Sequence, residues 1–174
     1  MSKLLKIIKK DETISLSIDQ LQEFCGDGVI ILQNEDIPNL TVEMFLNYGA
    51  MIVLFYPEEN HLKIGHFVAL TEWKGRLSYF DSYGLGIDQI NSQEKHLSSL
   101  VNKLIRLGYV LETNQRQFQP LNDKSATCGR FACLRALQRE MSNSEFSQWL
   151  DRPLHLETPD DIVSALTISI DLKK

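Results

Sequence analysis

The middle of the chain carries apolar runs that predict a sheet. Residues 50–56 are apolar without interruption, a pattern typical of a strand that is buried on both faces. Residues 62–73 and 76–80 predict two further strands joined by a tight Lys-Gly turn, and residues 109–112 predict a fourth. These strands indicate a mixed sheet that is covered by helices.

Capping signals predict three short helices. Ser17 and Ser142 each stand three residues before a glutamine or a glutamate, and this capping box marks the start of a helix. The two helices are expected to end at Phe24 and at Leu150. Thr158 precedes a proline and two aspartates, which favour the first turn of a third helix.

Longer apolar periodicities predict two more helices. Residues 93–107 place apolar side chains on one helical face. Residues 128–141 repeat bulky apolar side chains at helical spacing, as expected of a central helix packed on a sheet. Residues 1–10 are basic and indicate a short amphipathic helix or strand packed on the domain; an arm for nucleic acid or membrane is the alternative. Residues 1–174 are predicted to form a single α+β domain.

Composition and charge narrow the class of protein. The 174 residues are 43% hydrophobic and 24% charged, with a formal net charge of −5. The hydrophobic and charged fractions are ordinary for a soluble globular domain. The negative net charge is unfavourable for strong binding to nucleic acid. No apolar run approaches the roughly 20 residues of a membrane span, and the amino terminus lacks the features of a signal peptide.

The cysteines and histidines indicate neither a disulfide framework nor a metal site. Three cysteines, an odd number, predict free thiols in a reducing compartment. Their spacing relative to the histidines is not that of a zinc site. No metal or other cofactor is therefore predicted.

Three segments contain residues that carry chemistry in hydrolases. They are Gly-His-Phe-Val-Ala-Leu at 65–70, Tyr-Phe-Asp-Ser-Tyr-Gly at 79–84 and Ser-Ala-Thr-Cys-Gly-Arg-Phe-Ala-Cys at 125–133. Taken singly, each has an ordinary structural interpretation. A histidine inside an apolar strand is commonly a core residue, an aspartate before a turn commonly caps that turn, and a cysteine commonly packs as a small buried side chain.

Together, the three segments meet the requirements of a cysteine nucleophile. Cys128 lies in the first turn of a predicted helix, where the helix dipole lowers the pKa of a thiol. His66 and Asp81 lie at similar distances from the turn of a predicted hairpin, so their side chains are expected to meet. The imidazole would pair with the thiolate and protonate the leaving amine, while the carboxylate fixes the tautomer of the ring.

An acyl-transfer enzyme also needs hydrogen-bond donors for the negative oxygen that develops in the transition state. The backbone N–H of Cys128 is one candidate, and the side-chain amide of Gln119 is another. Gln115 and Gln117 lie close by in the sequence and stay open as alternatives to Gln119. Cys133, about one helical turn beyond Cys128, is predicted to be a buried core thiol.

The order of these motifs resembles that of the adenain and Ulp1-like cysteine proteases, and the similarity spans residues 50–141. The resemblance implies a papain-like α+β fold with a central mixed sheet packed against the helix that carries the nucleophile. By this resemblance the base is His66, the third triad member Asp81, the nucleophile Cys128 and the oxyanion-hole residue Gln119. Many family members have tryptophan after the histidine, where this chain has phenylalanine. The segment between the glutamine and the cysteine is also a little longer here.

The compact size and the cysteine motif resemble the viral branch of this family, which includes maturation proteases of adenoviruses, virophages and Maverick/Polinton-type DNA viruses. The resemblance implies an endopeptidase that cleaves capsid or other virion precursors at glycine-containing sites. An activating peptide would be a further partner, whereas the acidic balance argues against strong activation by DNA, and no membrane partner is expected. Such an enzyme would act at virus assembly sites in the host cytoplasm or nucleus, and in the virion.

Two other functions stay open. A deconjugating protease for SUMO, NEDD8 or ubiquitin would use the same chemistry, but it needs a broad surface for the folded modifier, and no long insertion offers one. A non-catalytic scaffold is disfavoured, because it has no chemical need for the cysteine, the histidine and the aspartate together. The first ~45 residues match no assigned part of the family and are interpreted as a covering or regulatory element.

Overall fold

A computed structural model describes residues 3–56, 65–87, 95–120, 125–151, 156 and 158–168. Within these residues the sheet has five strands, β1 (Ile30–Gln33), β2 (Ala50–Phe55), β3 (His66–Trp73), β4 (Arg76–Asp81) and β5 (Val110–Thr113). The strands lie side by side in chain order. The pairs β2–β3 and β3–β4 are antiparallel, and the outer pairs β1–β2 and β4–β5 are parallel. The predicted α+β class with a mixed sheet is confirmed.

Seven α-helices lie within the described residues. They are α1 (Lys3–Asp11), α2 (Ile18–Cys25), α3 (Val42–Tyr48), α4 (Lys95–Arg106), α5 (Cys128–Leu137), α6 (Asn143–Leu150) and α7 (Pro159–Thr167). Short 3₁₀ segments occupy Gly26–Gly28 and Asn34–Asn39. The capping boxes predicted at Ser17 and Ser142 are present, and the third predicted helix also begins with one, at Thr158. None of these helices is long and apolar enough to span a bilayer.

The sheet is buried on both faces, as its apolar runs predict. All six residues of β2 are buried. Alternate side chains of the central strands enter one core with α2, α5, α6 and α7, or a second core with α3 and α4. α5 packs directly on β3 and β2, so the helix predicted to carry the nucleophile lies against the strand that carries the histidine.

The central helix is shorter than predicted. α5 ends at Leu137, whereas the sequence pattern predicts helix to Met141. The guanidinium of the buried Arg135 donates to the backbone carbonyl of Gln138 over 3.1 Å and to that of Met141 over 2.8 Å. These bonds hold residues 138–141 as a turn that leads into α6, and the turn replaces the last predicted helical turn.

The amino-terminal part of the chain has more structure than predicted. Of the segment at 1–10, the described residues 3–10 adopt the helical alternative in α1, which packs against α7. Neither β1 nor α3 was predicted, although α3 has a Thr41 N-cap and a left-handed Gly49 at its end. The strand predicted at 62–73 begins at His66 in the structure; positions 62–64, like positions 93–94 of the helix predicted there, lie outside the described residues.

Candidate active site

The β3–β4 hairpin brings His66 and Asp81 into contact at one end of the sheet. His66 is the first residue of β3 and Asp81 is the last residue of β4. Val68 pairs with Asp81 across the hairpin, so His66 and Asp81 are diagonal neighbours on one face of the sheet. The Nε2 atom of His66 lies 2.9 Å from Oδ1 of the fully buried Asp81. This contact fixes the direction of the imidazole ring and occupies one of its nitrogens.

The turn after β4 adds a second restraint on the imidazole. The ring of Tyr83 stacks on the ring of His66, with centroids 4.5 Å apart and planes 18° apart. The backbone N–H of Tyr83 donates to Oδ1 of Asp81 over 2.7 Å, so one carboxylate oxygen holds both the histidine and the turn. Sequence reasoning missed this role of Tyr83, although the residue lies inside the Phe-Asp-Ser-Tyr-Gly motif.

Gly84 allows this turn to approach the next loop. Its φ is +74°, and a Cβ atom placed there would lie 2.9 Å from backbone atoms of Arg116 and Gln117. A side chain at this position would therefore meet both backbone strain and a clash. The glycine of the motif is required by the close packing of the two backbones.

Asn114 ties the end of β4 to the loop after β5. Its Oδ1 accepts a hydrogen bond from the backbone N–H of Asp81 over 2.8 Å, and its Nδ2 donates to the carbonyl of Asp81 over 2.7 Å. The carbonyl of Ser82 accepts from the backbone N–H groups of Phe118 and Gln119. Sequence reasoning missed Asn114, because its role depends on a contact between segments that are 33 residues apart.

Cys128 opens α5, as the sequence predicts. It is the first residue of the helix, where backbone N–H groups have no intrahelical acceptor and stabilise negative charge. The following Gly129 lets the helix approach β3, since a Cβ atom there would lie 3.2 Å from the ring of Phe67. The thiol of Cys128 is nearly buried, with 6% of the residue exposed.

The electrostatic balance of the site favours an ion pair between the thiol and the imidazole. Burial raises the pKa of Cys128, but the hydrogen bond and charge of His66, with the backbone N–H groups of Phe67 and Gly129, outweigh burial and lower that pKa. Burial likewise opposes the charged form of His66, yet Asp81 and Cys128 together raise the pKa of His66 to about 10. Both shifts in pKa favour a thiolate at Cys128 beside a protonated ring at His66.

The two ring nitrogens of His66 differ in their surroundings, since Nε2 contacts Asp81. Because Nε2 contacts Asp81, only Nδ1 is left for the sulfur of Cys128. Among the described residues, Nδ1 is buried and has no hydrogen-bond partner. The contact with Asp81 thus leaves Nδ1 as the ring nitrogen that is available to another group.

Gln119 is the buried member of the three candidate glutamines. Gln115 and Gln117 are exposed, whereas Gln119 has no exposed surface. Its Oε1 accepts from the hydroxyl of Ser82 over 2.9 Å, and its Nε2 donates to the backbone carbonyl of Ser125 over 2.9 Å. An amide nitrogen carries two hydrogens, and the bond to Ser125 uses one of them.

The loop that leads into Cys128 is held by the two helices at the ends of the described chain. Asp160 of α7 accepts hydrogen bonds from the hydroxyls of Ser125, over 3.0 Å, and Thr127. The carbonyl of Glu12, just after α1, accepts from the backbone N–H of Ala126 over 2.6 Å. Sequence reasoning read Asp160 only as an acid in a helical first turn and missed this contact.

Comparisons with known proteins were made over the whole chain. No family model matches it. The chain is 28% identical over 180 residues to the uncharacterised protein V9 of Sputnik virophage, covering 94% of this chain and 100% of V9.

Two solved structures have a similar backbone. The central domain of the uncharacterised Lpg1148 protein of Legionella pneumophila gives a TM-score of 0.46 at 12% identity, over 91% of this chain and 96% of that domain. The SUMO protease Ulp1, with its catalytic cysteine oxidised to a sulfonic acid, gives a TM-score of 0.44 at 14% identity, over 97% of this chain and 78% of that one. The chain is thus similar along most of its length to a virophage protein and, in backbone arrangement, to these two structures.

Proposed function

We propose that this chain is a cysteine protease with Cys128 as the nucleophile. The observation that carries the proposal is the array at the start of α5, where a thiol of lowered pKa meets an imidazole whose other nitrogen lies 2.9 Å from Asp81. The thiolate supplies the nucleophile, and the imidazolium supplies the proton that the leaving group needs. Asp81 orients the ring and stabilises its charged form.

The first half of the reaction forms an acyl-enzyme. The sulfur of Cys128 attacks the carbonyl carbon of the scissile peptide bond, and the carbonyl electron pair moves onto oxygen. As this tetrahedral species collapses, the C–N bond breaks and Nδ1 of His66 gives its proton to the leaving amine. The products of this half are a free amine and a thioester on Cys128.

The second half releases the acid. The now neutral Nδ1 of His66 removes a proton from water, and the resulting hydroxide attacks the thioester carbonyl. Collapse breaks the C–S bond and regenerates the thiolate beside a protonated imidazole. The enzyme returns to its starting charge state, so no cofactor is consumed.

Gln119 and the backbone N–H of Cys128 are the proposed donors to the developing oxyanion. Gln119 is buried on the loop before α5, and its amide is held by Ser82 and Ser125. A donor fixed in this way needs no reorganisation during the reaction. Its burial supports Gln119 over the exposed Gln115 and Gln117.

The proposed substrates are capsid or other virion precursor proteins, cut at glycine-containing sites during maturation. Similarity to a virophage protein along 94% of the chain supports a viral setting. In that setting the enzyme would act at assembly sites in the host cytoplasm or nucleus and in the virion, with an activating peptide as a further proposed partner.

The test is cleavage of virion precursors by the purified chain, with mass spectrometry of the new amino termini. Cys128→Ala is the matched control, because it removes the sulfur and adds no bulk. We expect new termini after glycine-containing sites with the wild-type chain and none with the variant. Cleavage of SUMO, NEDD8 or ubiquitin precursors alone would favour deconjugation over a role in maturation. Equal cleavage by the wild-type chain and the variant would refute the assignment of Cys128 as the nucleophile.

A further inference from the structure

Two cysteines outside the proposed active site are in direct contact. The sulfur of Cys25, at the end of α2, lies 2.8 Å from the sulfur of Cys133, in the middle of α5. This distance is shorter than a van der Waals contact between two sulfur atoms and approaches the S–S bond length of about 2.05 Å. Both residues are free thiols in the structure. Only a small movement separates them from covalent linkage.

The two thiols differ in access to solvent. Cys133 has no exposed surface, whereas 9% of Cys25 is exposed. Cys25 also lines a cavity of about 400 Å³, whose other walls include Val29 and Met141. A small reagent that enters this cavity reaches Cys25 first.

Cys133 is suited to the second step. Its contact with Cys25, and then burial, raise the pKa of Cys133, so its thiol stays protonated and is a poor first target for an oxidant. Because Cys133 lies against Cys25, the sulfur of Cys133 can attack the sulfur of Cys25 once Cys25 has been oxidised.

We propose that Cys25 and Cys133 form an oxidative modification site that hydrogen peroxide converts to an intramolecular disulfide. The sulfur of Cys25 attacks the peroxide, so an S–O bond forms, the O–O bond breaks and one water leaves with the thiol proton. Cys133 then attacks the sulfenic acid; the S–S bond forms, the S–O bond breaks and a second water leaves with the proton of Cys133. Two thiols are oxidised and one peroxide is reduced to two waters.

The disulfide would join two parts of the chain that are distant in sequence. Cys25 and Cys133 are 108 residues apart, and a cross-link that closes a long loop restricts the unfolded chain strongly. It would fasten α2 to the helix that begins with Cys128. This modification is independent of the proposed proteolysis, because neither thiol belongs to the proposed triad.

The experiment uses the full chain with Cys128→Ser, so that Cys128 does not compete for oxidant. The protein is treated with hydrogen peroxide, denatured, alkylated and mapped by mass spectrometry. We expect a peptide pair linked through Cys25 and Cys133, with the whole chain lighter by two hydrogens and restored by a reducing agent. The proposal would be overturned if Cys25 and Cys133 both remain fully alkylatable after treatment. It would also be overturned if Cys25 is oxidised to sulfinic acid without forming the cross-link.

Single variants provide the control and a second readout. In the Cys128→Ser background the peroxide-treated chain should unfold about 5–15 °C higher than the reduced chain. Cys25→Ser and Cys133→Ser, each in that background, should show neither the cross-link nor this rise. A rise of equal size in either single variant would contradict the assignment, and both readouts are independent of whether the enzyme cleaves protein.

Discussion

Gln119 donates its side-chain amide to the backbone carbonyl of Ser125 over 2.9 Å. The candidate oxyanion donor is therefore tied to the loop that leads into the nucleophile. Ser82 holds the other end of the same amide, and Ser82 follows directly after Asp81. A shift of any one of these segments would move the donor relative to the thiol.

Removal of this amide should slow the chemistry more than it weakens binding. We expect Gln119→Ala to lower kcat by about 10²–10³-fold with a smaller change in KM. Loss of one oxyanion-hole donor typically lowers kcat by this factor, because the donor stabilises the transition state more than the bound substrate. Steady-state kinetics on a cleaved peptide measure the effect. Gln115→Ala is the matched control, since that side chain is exposed, and an equal loss in both variants would contradict the assignment.

The order in which the cysteines react should report the lowered pKa of Cys128. At neutral pH and substoichiometric iodoacetamide, Cys128 should be alkylated ahead of Cys25 and Cys133, because the thiolate is the reactive form. Peptide mapping quantifies the three sites. His66→Ala should remove this preference, and preferential labelling of Cys25 in the wild-type chain would count against the ion pair.

The pKa of His66, about 10, predicts activity that persists well above neutral pH. The imidazolium is needed to protonate the leaving amine, so kcat/KM should fall as the pH rises through about 10 and, on the acid side, as the thiolate of Cys128 is protonated. Asp81→Asn removes a charge that raises the pKa of His66. Its alkaline limb should therefore move to lower pH, and an unmoved limb in a pH–rate profile would contradict the role of Asp81.

The same shift in pKa makes the stability of the fold depend on pH. The pKa of His66 is higher in the folded chain than the ordinary value of about 6.5, so the folded state binds the proton more tightly. This stabilisation is complete below about pH 6.5 and is lost as the pH rises toward about 10. Urea titrations should show a smaller alkaline loss of the free energy of unfolding for Asp81→Asn than for the wild-type chain.

Asp160 should act on catalysis from a distance, through the loop at Ser125 and Thr127. We expect Asp160→Ala to lower kcat by about 10-fold or more, because small misplacements of catalytic groups are costly. Asp160→Asn keeps an oxygen acceptor and should recover part of the loss. Kinetics are measured well below the Tm of each variant, and a fall in Tm with unchanged kcat would reduce Asp160 to a purely structural residue.

Gly84→Ala should destabilise the fold, because its φ of +74° and its contact with the backbone of Arg116 leave no room for a side chain. The expected loss is about 2 kcal/mol in the free energy of unfolding. Gly86→Ala is the control, since no atom lies within 4 Å of its added Cβ atom. Chemical denaturation compares the two, and equal stabilities would show that the turn adapts.

Local signals in the sequence were sufficient for much of the fold. The three capping boxes mark the starts of α2, α6 and α7 because the hydrogen bonds that define them join residues three positions apart. The apolar run of β2 likewise indicates a strand buried on both faces. β1 carries no such signal, since it has only four residues and depends on parallel pairing with β2. α3 was missed although Thr41 and Gly49 mark its ends.

In the candidate site, too, local sequence signals predict some contacts and not others. The hairpin pattern predicts that His66 and Asp81 meet, and the structure places them in contact; their catalytic roles stay predictions. The supporting contacts of Tyr83, Asn114 and Asp160 arise only when distant segments pack together. No spacing in the sequence could indicate which of these polar side chains would be buried beside the site.

The attachment of the nucleophile loop to α7 has a consequence for protein synthesis. Residues 158–168 are translated after every member of the proposed triad, yet Asp160 among them holds Ser125 and Thr127 in place. A ribosome-bound chain that has not yet released this segment lacks that anchor for the loop that leads into Cys128. If the proposed proteolysis holds, a newly made chain would be unable to cut neighbouring polypeptides until α7 has emerged and docked.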